Sequence, residues 1–322
     1  MTQPDTTQLQ ILAAINGAAI ISNATSEATT QAIWALWRRV NPYDKNAVAE
    51  FIKLAGQLVV SSQKSVATAH AAAQQVQLRA LGINRPVLVT VPDDVRGATV
   101  TFGRSQPKVH PKQTTVDYTD GGKQEIPKTD ALPGKVFERA AETYRYERSI
   151  GTDHATANDK AEQRIASIVD NNMILSARLA EQQTLVRVAE LDERVIGYRR
   201  VIHPELSKGG VCGLCVAAAD RVYHVKELKA IHAHCKCTIA PVTTAHDPGF
   251  TLNQDDLDKL YAHSTEVAPM ETVGGRERKA LGTSGKALKR TRYQIVHHDE
   301  LGPVLTRVPG HPVPYASTRP AA

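Results

Sequence analysis

A mainly α-helical chain carrying one small α+β zinc-knuckle module is the fold class that this sequence predicts. Three observations predict it. The composition is rich in alanine and poor in aromatics (5%). Two long stretches repeat their apolar residues at steps of three and four, the helical period. Near residue 195 the spacing changes to that of strands, and all four cysteines then fall between Cys212 and Cys237. Long N-terminal and central helices and a short β-hairpin around the cysteine cluster are therefore expected.

With 322 residues, 42% of them apolar and 22% charged, the chain is long enough for two or three globular units. The formal net charge of +6 permits contact with nucleic acid without demanding it. The N-terminus has no basic region followed by an apolar run, so no secretory signal is expected. No apolar run approaches the roughly 20 residues of a membrane span, so no membrane partner is expected. Four regions follow: an N-terminal helical region (1–83), an extended or linker region (84–134), the knuckle domain with its helix pair (135–245), and a basic C-terminal tail (246–322).

Residues 6 to 81 read as helices broken at Asn41-Pro42, because proline disfavours helix in the residue before it. Asp44 is placed to cap the second helix. Val48, Ile52, Ala55, Val59, Ser62, Val66 and Ala69 make its apolar stripe. Val87 to Val91 and Ala98 to Phe102 look like short strands, and the polar, proline-bearing remainder to 134 reads as linker. Helix returns near 135 with Val136, Phe137, Ala140, Ala141 and Tyr144 on one face, and ends at Gly151. Asp153 or Thr152 caps a second helix from about 154 to 193. Its stripe is Ile165, Ile168, Asn172, Leu175 and Leu179, and its charged remainder reads as a solvated face. A helix pair joined by so short a turn should pack antiparallel.

Val195 to Ile202, Arg221 to Val225 and Thr238 to Val242 read as strands. Asn253 is a candidate cap for a short acidic helix that follows. From 276 to 292 the chain carries Arg276, Arg278, Lys279, Lys286, Lys289, Arg290 and Arg292 against one acid, Glu277. Such a glycine-punctuated basic run can neutralise phosphates without reading sequence, or simply keep a tail soluble. The apolar end, His297 to Leu305, reads as a docking segment.

The chemistry concentrates in Cys212-Gly-Leu-Cys215 and His232-Ala-His-Cys235-Lys-Cys237. Tetrahedral zinc takes four sulfur or nitrogen ligands, and paired cysteine knuckles are a zinc pattern. Cys212 and Cys215 are the firmest candidates. The other two ligands would come from His232, Cys235 and Cys237, with His234 not excluded by pattern. A strand through the second knuckle would put Cys235 and Cys237 on one face. Packed reduced thiols and a disulfide or redox pair at Cys212 and Cys215 remain alternatives. A closed four-ligand site has no open position for catalysis. The chain contains no Gly-x-Ser-x-Gly elbow, no His-Glu-x-x-His and no phosphate loop.

His203-Pro204-Glu205-Leu206, the Cys212–Cys215 turn, Ala219-Asp220-Arg221-Val222-Tyr223 and the His232 to Thr238 knuckle together resemble the MuF-like minor capsid proteins of tailed bacteriophages. On that resemblance His232, Cys235 and Cys237 take the places of the family's histidine and two cysteines. Ala233, His234 and Lys236 depart from its Pro, Asn and Arg. The motif covers about 45 residues and a looser likeness covers 135–245. The resemblance implies a non-enzymatic virion protein involved in head morphogenesis and in DNA packaging or ejection. It would lie inside the capsid near the portal vertex, and in the host cytoplasm during assembly. The implied partners are the portal protein, other capsid proteins and packaged DNA, and the implied cofactor is structural Zn2+. A capsid maturation protease and a zinc-dependent DNA-binding protein are the alternative readings.

Overall fold

The computed structural model describes residues 6–96, 133–203, 206, 215, 218–228, 236–255 and 257. Beyond these it describes the backbone of short strands between 99 and 126 and between 270 and 307. Helix α1 (Thr6–Trp37) and helix α2 (Lys45–Ala80) flank the predicted break. Asp44 caps α2 as expected, its carboxylate accepting from the Asn46 and Ala47 amides. The two helices form an antiparallel hairpin. Trp37 packs at a tilt against Phe51 near the turn, Thr29 bonds Ser62 midway, and Ile11 packs with Ala80 at the far end.

A 3-10 turn (Pro133–Phe137) leads into α3 (Glu138–Ser149), and Gly151 closes it with a φ of 90° that favours glycine. Helix α4 (His154–Leu191) starts at Asp153, which accepts from the Thr156 amide. The α3 face predicted from spacing is buried, and α3 folds back on the first turns of α4. Helix α4 runs alongside α2: Gln63 meets Asn172 and His70 meets Glu181. Against α1 it runs the other way, because Arg38 meets Glu162 and Ser26 meets Asp170. The result is a three-helix bundle with α3 closing one end.

The apolar stripe of α4 is buried as predicted and Asp159, Lys160 and Arg164 of its first turns are exposed, but from Ile168 to Val186 no charged face is solvated. Every residue from Ile168 to Val186 is buried, including Asp170, Arg178, Glu181, Gln182 and Gln183. The bundle and a sheet enclose this stretch together, so no side of it is left for water. Asn172 is a satisfied core group: it accepts from Gln63 and donates to the Ile168 carbonyl.

The sheet has the order β6-β5-β7, with β5 (Val195–Val201) between β6 (Val222–Tyr223) and β7 (Thr238–Thr243), all antiparallel. It covers the C-terminal half of α4 and the end of α2 through Leu78, Leu185, Val188, Tyr198 and Ile239. The expected strand at 221–225 shortens to β6, and a 3-10 turn (Val225–Glu227) follows it. The cap of helical residues 248–255 is Asp247, not Asn253. Asn253 lies inside that helix and is fully buried, bonding the Ile202 amide and the Arg200 carbonyl of the β5 edge.

The region read as linker carries structure. Residues 87–91 form no strand; they lie extended against α2 and α4. Gln75 bonds the Val87 carbonyl, and Gln183 bonds both the amide and the carbonyl of Thr90. Further on, β1 (Thr99–Thr101) pairs with β2 (Lys108–His110), and β3 (Thr114–Asp117) with β4 (Lys123–Ile126). Among the described residues no helix is long and apolar enough to cross a membrane.

Candidate functional site

Of the five predicted ligands, the structure describes Cys215 and Cys237, and both are buried. Cys212, His232 and Cys235 lie outside the described residues. Strand β7 begins at Thr238, so Cys237 stands just before the strand rather than within it. The strand geometry expected to align Cys235 with Cys237 is therefore not what positions Cys237. Among the described residues, no three His, Cys, Asp or Glu side chains are grouped to hold a metal ion.

What surrounds Cys237 is a set of buried cations. Arg178 of α4 donates to the Cys237 carbonyl with one guanidinium nitrogen, which also lies 3.6 Å from the Cys237 sulfur. Arg200 of β5 approaches the same sulfur at 3.6 Å. Its guanidinium lies over the rings of Tyr198 and Tyr223, which stack with centroids 5.4 Å apart. Next along the chain, Lys236 pairs with Asp170 at 2.7 Å, and Thr238 bonds the buried His203 at 2.8 Å.

Arg178 is itself held. Glu181, one turn along α4, pairs with it through Oε2, and its Oε1 meets His70 Nδ1 of α2 at 2.8 Å. Burial alone would raise the Glu181 carboxyl, but Arg178 and His70 outweigh burial and hold it below the ordinary range. Glu181 is then ionised and only accepts, so His70 Nδ1 carries the hydrogen between them. His70 Nε2 is buried without a hydrogen-bond partner among the described residues. His70, Arg178 and Cys237 line a cavity of about 30 Å³, together with Asp170, Lys236 and Thr238. Burial pushes Tyr198 up to about 12, against the pull of Arg200, and raises Tyr223 for the same reason.

Chemically, this is a buried cysteine whose sulfur accepts from two buried guanidinium groups. Such donors favour sulfur that carries negative charge. A metal-bound thiolate is such a species, so the described donors fit the zinc expected from the knuckle. Sequence spacing singled out none of Arg178, Glu181, His70 or Arg200. The available signal was the Arg199-Arg200 pair in a predicted strand. Adjacent strand residues face opposite ways, so one arginine must enter the core side. Arg199 takes the other face, pairing with Asp247 at 2.6 Å and lying over Phe250.

In the tail, Arg276, Arg278 and Lys279 lie on β9 (Arg276–Lys279), which pairs with β8 (Met270–Val273) as a hairpin. This part of the basic run is thus strand. Lys286, Lys289, Arg290 and Arg292 lie outside the described residues. The end read as a docking segment contributes to a second hairpin, β10 (Tyr293–His298) with β11 (Gly302–Arg307).

No curated protein and no solved structure matches the chain. Residues 129–265, somewhat under half of it, match the family model described as VG15 protein. That stretch holds α3, α4, the three-stranded sheet and all five candidate ligands, and the match points to a phage-related protein.

Proposed function

We propose that the chain is a minor head protein of a tailed phage, non-enzymatic, seated inside the capsid near the portal vertex. The observation that carries this reading is the overlap of two independent signals. The VG15 match at 129–265 spans the stretch in which the cysteine-histidine motif resembles MuF-like minor capsid proteins. The helical bundle offers rigid docking surfaces for the portal and neighbouring capsid proteins. The basic run from Arg276 to Arg292 suits contact with packaged DNA.

In this reading Cys212 and Cys215, with two of His232, Cys235 and Cys237, would hold one structural zinc. The ion would supply folding energy to the small module rather than catalysis. The burial of Cys215 and Cys237 and the donors at the Cys237 sulfur support it.

Mass spectrometry of purified particles and proheads tests the placement; the protein is expected in both in few copies, and absence from both would overturn the reading. Elemental analysis of the purified chain tests the metal. About one zinc per chain is expected, with loss in a Cys212→Ser/Cys215→Ser variant. Ready labelling of all four cysteines in the native chain, with no metal released, would contradict it.

A further inference from the structure

The cysteine centre comes with more buried charge than a packed core needs. Arg178 sits on a helix enclosed on every side, where a leucine would fill the space without desolvating a guanidinium. Instead it reaches out of the bundle to Cys237. Arg200 arrives at the same sulfur from the sheet, 3.6 Å away. Two cationic donors, from two different layers of the fold, thus converge on one thiol.

A zinc ion with three or four thiolates carries net negative charge, and a buried negative centre needs fixed donors to offset its lost hydration. We propose that Arg178 and Arg200 are the outer shell of this centre: they position Cys237 and balance its sulfur's charge when zinc is bound. The inference rests on the zinc reading above. Arg178 contributes twice, through the Cys237 carbonyl and the sulfur, and so sets the backbone and side chain together. Glu181 and His70 hold its guanidinium in place. The chain of contacts from His70 on α2, through Glu181 and Arg178 on α4, to Cys237 before β7 ties metal occupancy to the packing of the bundle. His70, Glu181, Arg178 and Arg200 are positioning residues and none of them is a ligand in this account.

The test uses the full-length chain in its zinc and cobalt forms. The variants are Arg200→Met, Arg200→Lys, and the double variant Arg178→Met/Glu181→Leu, which removes the buried Arg178–Glu181 ion pair as a unit. Arg199→Lys is the control, since Arg199 engages Asp247 on the opposite face of β5. Zinc content and competition with a chromogenic chelator are read for each. Arg200→Met and the double variant are expected to weaken zinc binding by about 10- to 100-fold. Arg200→Lys should recover part of the loss, and Arg199→Lys should bind as the parent does. In the cobalt form, removing N–H donors from sulfur should move the thiolate-to-metal charge-transfer band to lower energy, which a merely structural role would not do. If the parent holds zinc and the variants hold it as tightly with an unmoved band, this inference falls while the zinc reading stands. If the parent neither carries zinc nor takes it up, both fall. Should the double variant fail to fold, the two Arg200 variants decide the matter.

Discussion

Glu181 is a carboxylate with almost no exposure, kept ionised by two neighbours from two helices. Removing one member of a buried ionic set strands the others, so Glu181→Ala should cost about 3–5 kcal/mol in denaturant unfolding. The pH dependence has a definite sign. The folded-state pKa lies below the unfolded value of about 4.3. Its contribution is therefore complete above that value and is lost as the pH falls through the lowered folded value. Acid unfolding of Glu181→Gln should accordingly show a shallower limb than the parent. Tyr198 behaves oppositely. It stays un-ionised in the folded chain up to about 12 while exposed tyrosines titrate near 10. An alkaline absorbance titration should find a late-ionising group that Tyr198→Phe removes. Between the two values the unfolded chain releases its proton first, so this residue's contribution to stability falls as pH rises.

At the scale of elements, the bundle is closed by a backbone contact that only glycine permits. A Cβ on Gly56 would come within 2.9 Å of Gly134, and one on Gly134 would strike the Ile52 carbonyl. The 3-10 turn before α3 therefore lies directly on α2. Gly134→Val should lower stability by about 1–3 kcal/mol or prevent α3 from docking, as seen in the unfolding midpoint. By contrast, Asp44→Ala and Asp153→Ala each remove one helix cap and should cost about 1 kcal/mol. The helix boundaries were legible because their causes are local: Pro42, Asp44, Gly151 and Asp153 act on their immediate neighbours. Of the short hairpins between 99 and 126 only β1 was legible, inside the strand expected at Ala98 to Phe102; the other three strands were not. They are three or four residues long, too short for a period of two to stand out from a polar segment.

For the whole molecule, the bundle and the three-stranded sheet share one core through α4. Residues past 245 belong to its support, since Asp247 pairs with Arg199 and Asn253 bonds the β5 edge on both sides. Truncation after residue 246 should unfold the sheet, whereas truncation after 265 should leave the thermal transition of the bundle in place; circular dichroism of the two fragments checks this. Local chemistry was enough to place the long helices, their caps, the strand at 195 and the cysteine cluster, because each depends on spacing and on nearest neighbours. The burial of α4 on all sides from 168 to 186 depended on packing instead. So did the meeting of Arg178 and Arg200 at Cys237. A helix enclosed by a bundle on one side and a sheet on the other has no solvent face, so its polar residues carry no period that spacing could reveal. Their partners on other elements lie 44 to 144 residues away along the chain, and only the folded arrangement of α1, α2, α4 and the sheet brings them within bonding distance.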